Sequence, residues 1–292
     1  MSAYGQDRAF VEIRSIGRVQ FQHINPLAVK IIRAGREMKF FWLASFGKSG
    51  NTWLRFLIYQ YLHGKCTNPV EVEEYLPFVN RISDISSIPA DQTLISKTHY
   101  FWDPDKHPFA DKTQGFIYMV RNPRDVMLSY VNHYQLKNQI DEGEKQFCLN
   151  FIEHGGVPEL ANVQGPWDHH VQSWKDCSHP NLFIKYEDML DDPEKTFAQV
   201  VTFMNLDYFP KKLRDAVKWS SFEHMKALEE EAKTSGNEFV SIIFTGGANE
   251  LENGHAFVNK GRSGQTLDHL GADLEPAFIK RFGEAMKSLG YI

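Results

Sequence analysis

The 292-residue chain has little cysteine, no long hydrophobic run and no excess of positive charge. Each shortage removes a class of explanation. The three cysteines, Cys66, Cys148 and Cys177, are odd in number and far apart, with no Cys-x-x-Cys pair and no Cys/His ligand spacing. That argues against a disulfide framework or a zinc site and predicts reduced thiols in a cytoplasmic protein. The strongest apolar stretch, Phe40 to Phe46, is far too short to cross a bilayer, so no membrane partner is expected. Asp7, Arg8, Glu12 and Arg14 stand where a secretory leader needs an apolar run. With a formal net charge of −5, nucleic acid is not expected as the main partner. A phosphate-rich ligand would have to be held by a local cluster of Lys and Arg. No acidic metal-binding motif stands out, and no metal is expected. Internal repeats and low-complexity segments are also lacking.

What is present is an ordinary globular composition, 42% hydrophobic and 24% charged, in a chain long enough for a sizeable core. Residues 1–37 read either as an N-terminal extension or lid, or as a solvated leader; residues 38–292 read as one domain. From Lys39 onward, short apolar runs alternate with helical patterns. Strands are predicted at Lys39–Ser45, Thr93–Lys97, Gly115–Arg121 and Asn181–Tyr186. Between them, Thr52–Leu62 places Leu54, Leu57, Ile58, Tyr61 and Leu62 on one helical face. Further helices are predicted after Arg121, over Trp167–Trp174 and over Pro193–Met204. Apolar strands separated by helices predict an α/β fold, a central parallel sheet flanked by helices. The chain beyond reads as mostly helical, apart from a glycine-rich, irregular stretch from about Ser235 to Gly264.

Phe46-Gly-Lys-Ser-Gly-Asn-Thr-Trp53 lies between the first strand and the first helix. Small residues let backbone N–H groups approach an anion, and the helix N-terminus adds free donors and partial positive charge. Lys48 adds a mobile full charge. The segment is not a Walker A loop, because the glycine required five residues before the Gly-Lys pair is Trp42. A plain Gly/Ser turn with a surface lysine is the alternative. At the end of the second strand stands Ser96-Lys-Thr-His99, where ligands of open parallel sheets bind. A histidine there suits a proton acceptor at neutral pH, although most of the twelve histidines must be structural or solvated. After the third strand, Tyr118-Met-Val-Arg-Asn-Pro-Arg-Asp-Val-Met-Leu-Ser129 sets Arg121 at a strand end and Ser129 eight residues on. Arginine offers planar, multi-donor recognition of phosphate, and a serine hydroxyl adds a donor. Arg124 and Asp125 are expected to hold structure, with a local pair near the helix start as one arrangement.

Taken in this order, these segments resemble the motifs of the sulfotransferases that use 3′-phosphoadenosine-5′-phosphosulfate (PAPS). Lys48, Ser49, Gly50, Thr52 and Trp53 match that family's 5′-phosphosulfate loop, while Gly47 replaces its usual proline and Asn51 a threonine. The Gly-Asn-Thr-Trp-Leu-Arg form is similar to bacterial members, including those that sulfate glycopeptide antibiotics. The resemblance implies a P-loop-NTPase-like core, with His99 as base and Lys97 near the sulfuryl oxygens. It also implies that Lys48 acts on the bridging oxygen, and that Arg121 and Ser129 recognise the 3′-phosphate. Lys185-Tyr-Glu-Asp-Met-Leu190 matches the family's Tyr-Glu-Asp segment, placing Tyr186 by the adenine and leaving Glu187 and Asp188 to hold structure. Trp219-Ser-Ser-Phe-Glu-His-Met225 resembles another family stretch, with Ser220, Ser221 and Phe222 as adenosine contacts and Met225 as core. In Phe257-Val-Asn-Lys-Gly-Arg-Ser-Gly264, Lys260, Gly261 and Gly264 match, whereas Asn259 replaces an arginine for which Arg262 is a candidate substitute.

The implied reaction is in-line transfer of a sulfuryl group from PAPS to a hydroxyl or amine of a small molecule, releasing adenosine 3′,5′-bisphosphate (PAP). Two rivals differ in kind. A small-molecule kinase would need Walker A and a magnesium-binding Asp; a non-catalytic PAPS-binding module would not need Lys48 and His99. The bacterial resemblance favours a secondary metabolite as acceptor. Glu229, Glu230, Glu231, Glu250 and Glu252 are either a solvated face or a wall for a cationic acceptor. The family's dimerisation motif is missing from the end of the chain, so no oligomeric state is carried over.

Overall fold

In the computed structural model, residues 37–82, 84–86, 88–136, 143–234 and 256–292 are described. The expected N-terminal extension, and Glu250 and Glu252, lie outside them.

The predicted strands appear as β1 (Lys39–Ala44), β2 (Thr93–Thr98), β3 (Thr113–Val120) and β4 (Asn181–Lys185). They form a parallel four-stranded sheet in the order β2-β1-β3-β4. Two consequences follow from period-two alternation. Phe41 and Leu43 of β1, with Ile117 and Met119 of β3, point into one core. Phe40, Trp42 and Ala44, with Phe116, Tyr118 and Val120, point into the other. Both faces are therefore apolar, as a parallel sheet covered on both sides requires.

The first core is covered by α1 (Asn51–His63), α7 (Pro193–Phe203) and α8 (Pro210–Trp219). The second is covered by α3 (Pro123–Leu136), α4 (Glu144–His154), α5 (Trp167–Lys175) and α10 (Leu274–Ser288). Short helices α2 (Pro69–Tyr75) and α6 (Tyr186–Asp191) flank the sheet, and α9 (Phe222–Thr234) follows α8. Helix α1 departs from the single-face expectation. Arg55, Phe56, Tyr59 and Gln60 are buried along with Leu54, Leu57, Ile58 and Tyr61, because the helix lies between the sheet and α8. Its buried Arg55 is matched by the buried Glu73 of α2 at 2.6 Å. Tyr186, expected to end the fourth strand, begins α6.

The order β2-β1-β3-β4 makes the chain leave β1 toward one side of the sheet and resume on the other at β3. The crevice beyond the carboxyl ends of β1 and β3 is therefore a topological switch point, the place where open α/β sheets bind ligands. The segments 46–50 and 121–122 emerge there.

Candidate active site

The turn after β1 is held in an unusual backbone shape. Lys48 has φ 63° and Gly50 has φ 97°, both in the left-handed region. A non-glycine residue there costs of order 1–3 kcal/mol and concentrates at functional sites. Gly50 has no room for a side chain: a Cβ would stand 2.6 Å from the Tyr186 ring and 2.9 Å from the Met119 sulfur. Gly50 is also the N-cap of α1, with no side-chain cap and no acidic residue in the first turn, so the helix's first N–H groups stay available to an anion.

The glycine at position 47 has a structural counterpart. Its N–H donates to Gln164 Oε1 at 3.0 Å, a bond a proline could not make. The Tyr130 hydroxyl donates to the same oxygen at 2.9 Å and fills the space a Cβ at position 47 would need.

Around this turn lie buried polar atoms with no hydrogen-bond partner: Ser49 Oγ, Asn51 Oδ1, Trp53 Nε1 and Arg121 Nε. An unpaired buried polar group costs about 1–3 kcal/mol, so four at one place mark a site built for a polar ligand. Each terminal nitrogen of Arg121 makes one bond and keeps a second N–H. Arg121 donates through Nη1 to the Lys48 carbonyl at 3.0 Å and through Nη2 to the Arg262 carbonyl at 3.0 Å. Its guanidinium also lies 4.2 Å from the centre of the Tyr186 ring, and Trp53 meets that ring edge-on at 5.6 Å. Arg121, Trp53, Tyr186, Gly50 and Lys48 thus form one cluster.

His99 leaves β2 beside it. Its Nδ1 stands 2.8 Å from the Ser45 carbonyl oxygen and 3.3 Å from Ser45 Oγ. A carbonyl can only accept, so Nδ1 carries the proton and Nε2 is left as a free base. Burial lowers the His99 pKa well below its ordinary value, and the neighbouring Lys97 charge lowers it further, so the ring is neutral at physiological pH. Lys97 is itself pushed down to about 7, first by burial and then by the Arg55 charge, with Glu73 opposing. The Lys97 ammonium lies 4.7 Å from the centre of the Phe78 ring. Asn51, expected to touch the nucleotide, donates through Nδ2 to the Leu43 carbonyl at 2.8 Å and to Ser45 Oγ at 3.2 Å. Its amide nitrogen therefore braces the end of β1.

The segment 256–265 closes over this cluster without regular secondary structure, and side chains from elsewhere hold it. The buried Glu229 accepts the Phe257 and Val258 N–H groups, each at 2.7 Å. Asn132 Nδ2 donates to the Ala256 carbonyl at 3.1 Å. The buried Asp125 accepts from the Gly264 N–H at 3.0 Å and from the Gln265 N–H and Nε2 at 3.1 Å. The Lys48 ammonium lies 4.2 Å from the centre of the Phe257 ring. Ser129, four residues after Asp125 and three before Asn132, shares the α3 face that this segment covers. Gly261 packs against the Phe222 ring, while the side chains of Lys260 and Arg262 are exposed. Lys260 Nζ donates to Gln265 Oε1 at 3.1 Å.

Several expectations need correction. Arg124 and Asp125 do not pair with each other. Arg124 ion-pairs with Glu275 of α10, and Asp125 points the other way onto residues 264–265. Glu229 is neither a solvated face nor a wall for a cation: it is buried and holds the closing segment, whereas Glu230 and Glu231 are exposed. Ser220 is occupied in the core, accepting from Gln60 Nε2 at 2.7 Å. Ser221 lies 3.2 Å from His224 Nδ1 at the start of α9. Glu187 holds structure as expected, accepting from the Asn122 N–H at 3.0 Å and the Tyr291 hydroxyl at 3.1 Å. Met225 is core. No local signal marks Ser45, Gln164 or Glu229 as site scaffold, because their partners are distant in the chain.

Comparison with known proteins identifies the family and the fold. The family described as "Sulfotransferase domain" matches residues 39–290. Amine sulfotransferase of Oryctolagus cuniculus is 26% identical over 257 residues, covering 83% of this chain and 79% of that protein. Sulfotransferase 1B1 of Mus musculus is 29% identical over 199 residues, covering 63% of this chain and 64% of that protein, just under two thirds of its length. Among solved structures, mouse sulfotransferase SULT7A1 complexed with PAP superposes with a TM-score of 0.59 at 23% identity, covering 87% of this chain and 86% of that one. Retinol dehydratase in a complex with retinol and PAP gives 0.60 at 19% identity, covering 89% and 84%. These two structures share the fold.

Proposed function

The chain belongs to the sulfotransferase domain family, and from that premise we propose that it moves the sulfuryl group of PAPS to a hydroxyl or amine of a small molecule. The observation that carries this reading is the group of unpaired buried polar atoms at Ser49, Asn51, Trp53 and Arg121, set round the uncapped start of α1. PAPS supplies an activated sulfate and a 3′-phosphate. The backbone donors at 49–52 and Ser49 Oγ would hold the 5′-phosphosulfate, and Arg121 with Ser129 the 3′-phosphate. Trp53, Tyr186, Ser221 and Phe222 would flank the adenosine, and segment 260–262 would lie by the 3′-phosphate.

The transfer balances without a metal ligand from the chain. The acceptor's oxygen or nitrogen forms a bond to sulfur as the bond from sulfur to the bridging oxygen breaks, and the acceptor proton passes to His99 Nε2. The Ser45 carbonyl holds Nδ1–H throughout, so the ring can take that proton without turning. Lys48 would offset charge growing on the bridging oxygen, and Lys97 charge on the sulfuryl oxygens. Fixed donors of this kind supply roughly 2.7–4 kcal/mol each where they have been removed singly in enzymes.

The acceptor is a small molecule, and the Gly-Asn-Thr-Trp-Leu-Arg form favours a secondary metabolite. The name of the rabbit relative makes amines a group to include in any screen. Three cysteines, all buried and free, fit a cytoplasmic protein, and no described helix is long and apolar enough to cross a membrane. Incubation with PAPS and a panel of phenols, alcohols and amines should release PAP together with a sulfated product. Release of ADP from ATP instead would point to a kinase, and PAP binding with no transfer to any acceptor to a binding module.

A further inference from the structure

We propose that His170 is a positioning residue for His99. With Tyr118, it ties the end of β2 to β3 so that the His99 ring keeps Nδ1–H on the Ser45 carbonyl and Nε2 open to the acceptor. This rests on the reading of His99 as the base.

His170 lies on α5 and is fully buried, as is Tyr118 of β3. His170 Nε2 stands 3.2 Å from the His99 carbonyl oxygen, and its Nδ1 2.9 Å from the Tyr118 hydroxyl. Only one assignment satisfies both: Nε2–H donates to the carbonyl, and Nδ1 accepts from the hydroxyl. That requires a neutral ring, and burial pushes its pKa down to about 3. Tyr118 keeps its proton, because burial raises its pKa.

The path runs from Tyr118 of β3, through His170, to His99 at the end of β2. The His99–Ser45 bond ties the same residue to the segment that follows β1. Ala44 is level with Thr98 on one side and Tyr118 on the other, so the bridge sits directly beneath the site. Helix α5 grips the rest of the same segment. Trp174 Nε1 donates to the Tyr100 carbonyl, and the Trp102 N–H to Ser173 Oγ, each at 2.9 Å. Residues 170, 173 and 174 fall on one helical face, so one face of α5 fixes residues 99–102. An ordinary core histidine needs only satisfied partners; this one spends both nitrogens on the scaffold of the base.

The test compares His170→Ala, which removes both bonds, with His170→Gln, whose amide can still donate to the His99 carbonyl. Three quantities are read: the His99 tautomer by long-range proton–nitrogen NMR, the affinity for PAP, and kcat with any acceptor the wild type sulfates, 2-naphthol and octylamine among those tried. A small displacement of a reacting group can cost about 100-fold. We therefore expect His170→Ala to lose at least about 30-fold in kcat with PAP affinity within about threefold, and His170→Gln to recover most of it. The His99 ring should be a single Nδ1–H tautomer in wild type and His170→Gln and a mixture in His170→Ala. If His170→Ala does not fold, Tyr118→Phe, which deletes one hydroxyl, carries the same comparison. The inference is overturned if the tautomer and kcat are unchanged, or if PAP affinity falls in parallel with kcat and glutamine restores neither. Should the wild type sulfate no acceptor, the proposed function falls, while the tautomer comparison still decides the role of His170.

Discussion

Two parts of the site are built in opposite ways. The turn at 46–53 takes its shape from its own residues: a left-handed Lys48, a glycine at position 50 that admits no Cβ, and the open end of α1. The segment 256–265 has no regular structure of its own and is held by distant side chains, Glu229, Asn132, Arg121 and Asp125. In the proposed reading the first would receive the donor's 5′-phosphosulfate, and the second would cover the donor, held chiefly by the carboxylates of Glu229 and Asp125. Loss of a turn residue should therefore damage chemistry or donor recognition outright, and loss of a cover residue should weaken donor retention while chemistry survives.

The largest effect is expected beside the turn, at His99, whose Nδ1–H donates to the Ser45 carbonyl. His99→Ala should reduce kcat by 10²–10⁴-fold, the usual contribution of a positioned base, while PAP affinity measured by calorimetry stays nearly unchanged. A variant that keeps more than about a tenth of wild-type turnover removes His99 from that role, since even a modest base contributes more.

A smaller effect is expected on the cover side. Asp125→Asn leaves one acceptor oxygen for three donors from residues 264–265. Losing one charge-assisted bond of about 1.5 kcal/mol should cut PAP affinity by about tenfold, with kcat at saturating PAPS within about threefold. Equal losses in kcat and affinity would mean that the cover takes part in the chemistry, and the contrast drawn above would fail.

The mildest expected effect is on pH dependence. Lys97 has a pKa pushed down to about 7 by burial and the Arg55 charge, so it is cationic below that pH and loses its proton as pH rises through it. His99 is pushed well below its ordinary value, so it is already a free base through the neutral range. The profile of kcat/KM for PAPS should therefore fall on the alkaline side, starting near pH 7, and on the acid side only well below His99's usual range. Lys97→Arg, which keeps its charge, should remove the alkaline fall. An alkaline limb unmoved in that variant would assign it to another group.

The same contrast explains what the sequence disclosed. The four strands and the turn at 46–53 were legible because local patterns determine them: apolar runs for strands buried on both faces, and glycine and serine between strand and helix. His99 and Arg121 were legible from their places at strand ends. The roles of Asp125 and Glu229 were not, since an acidic residue on a helix reads the same whether it faces water or a distant backbone N–H. Arg124 and Asp125, adjacent in sequence, looked like a pair but point to different elements, which only tertiary packing decides. His170 gave no signal for a related reason: its two bonds reach 52 and 71 residues back along the chain.

Recognition of a nucleotide by its extra ribose phosphate is the claim on which both halves of the site depend. It is tested most directly by titrating the wild-type protein with PAP and, in parallel, with adenosine 5′-monophosphate, which lacks that group. Two charge-assisted hydrogen bonds at about 1.5 kcal/mol each predict that PAP binds roughly 100-fold more tightly. Affinities within about threefold of each other, less than one ordinary hydrogen bond, would contradict the account.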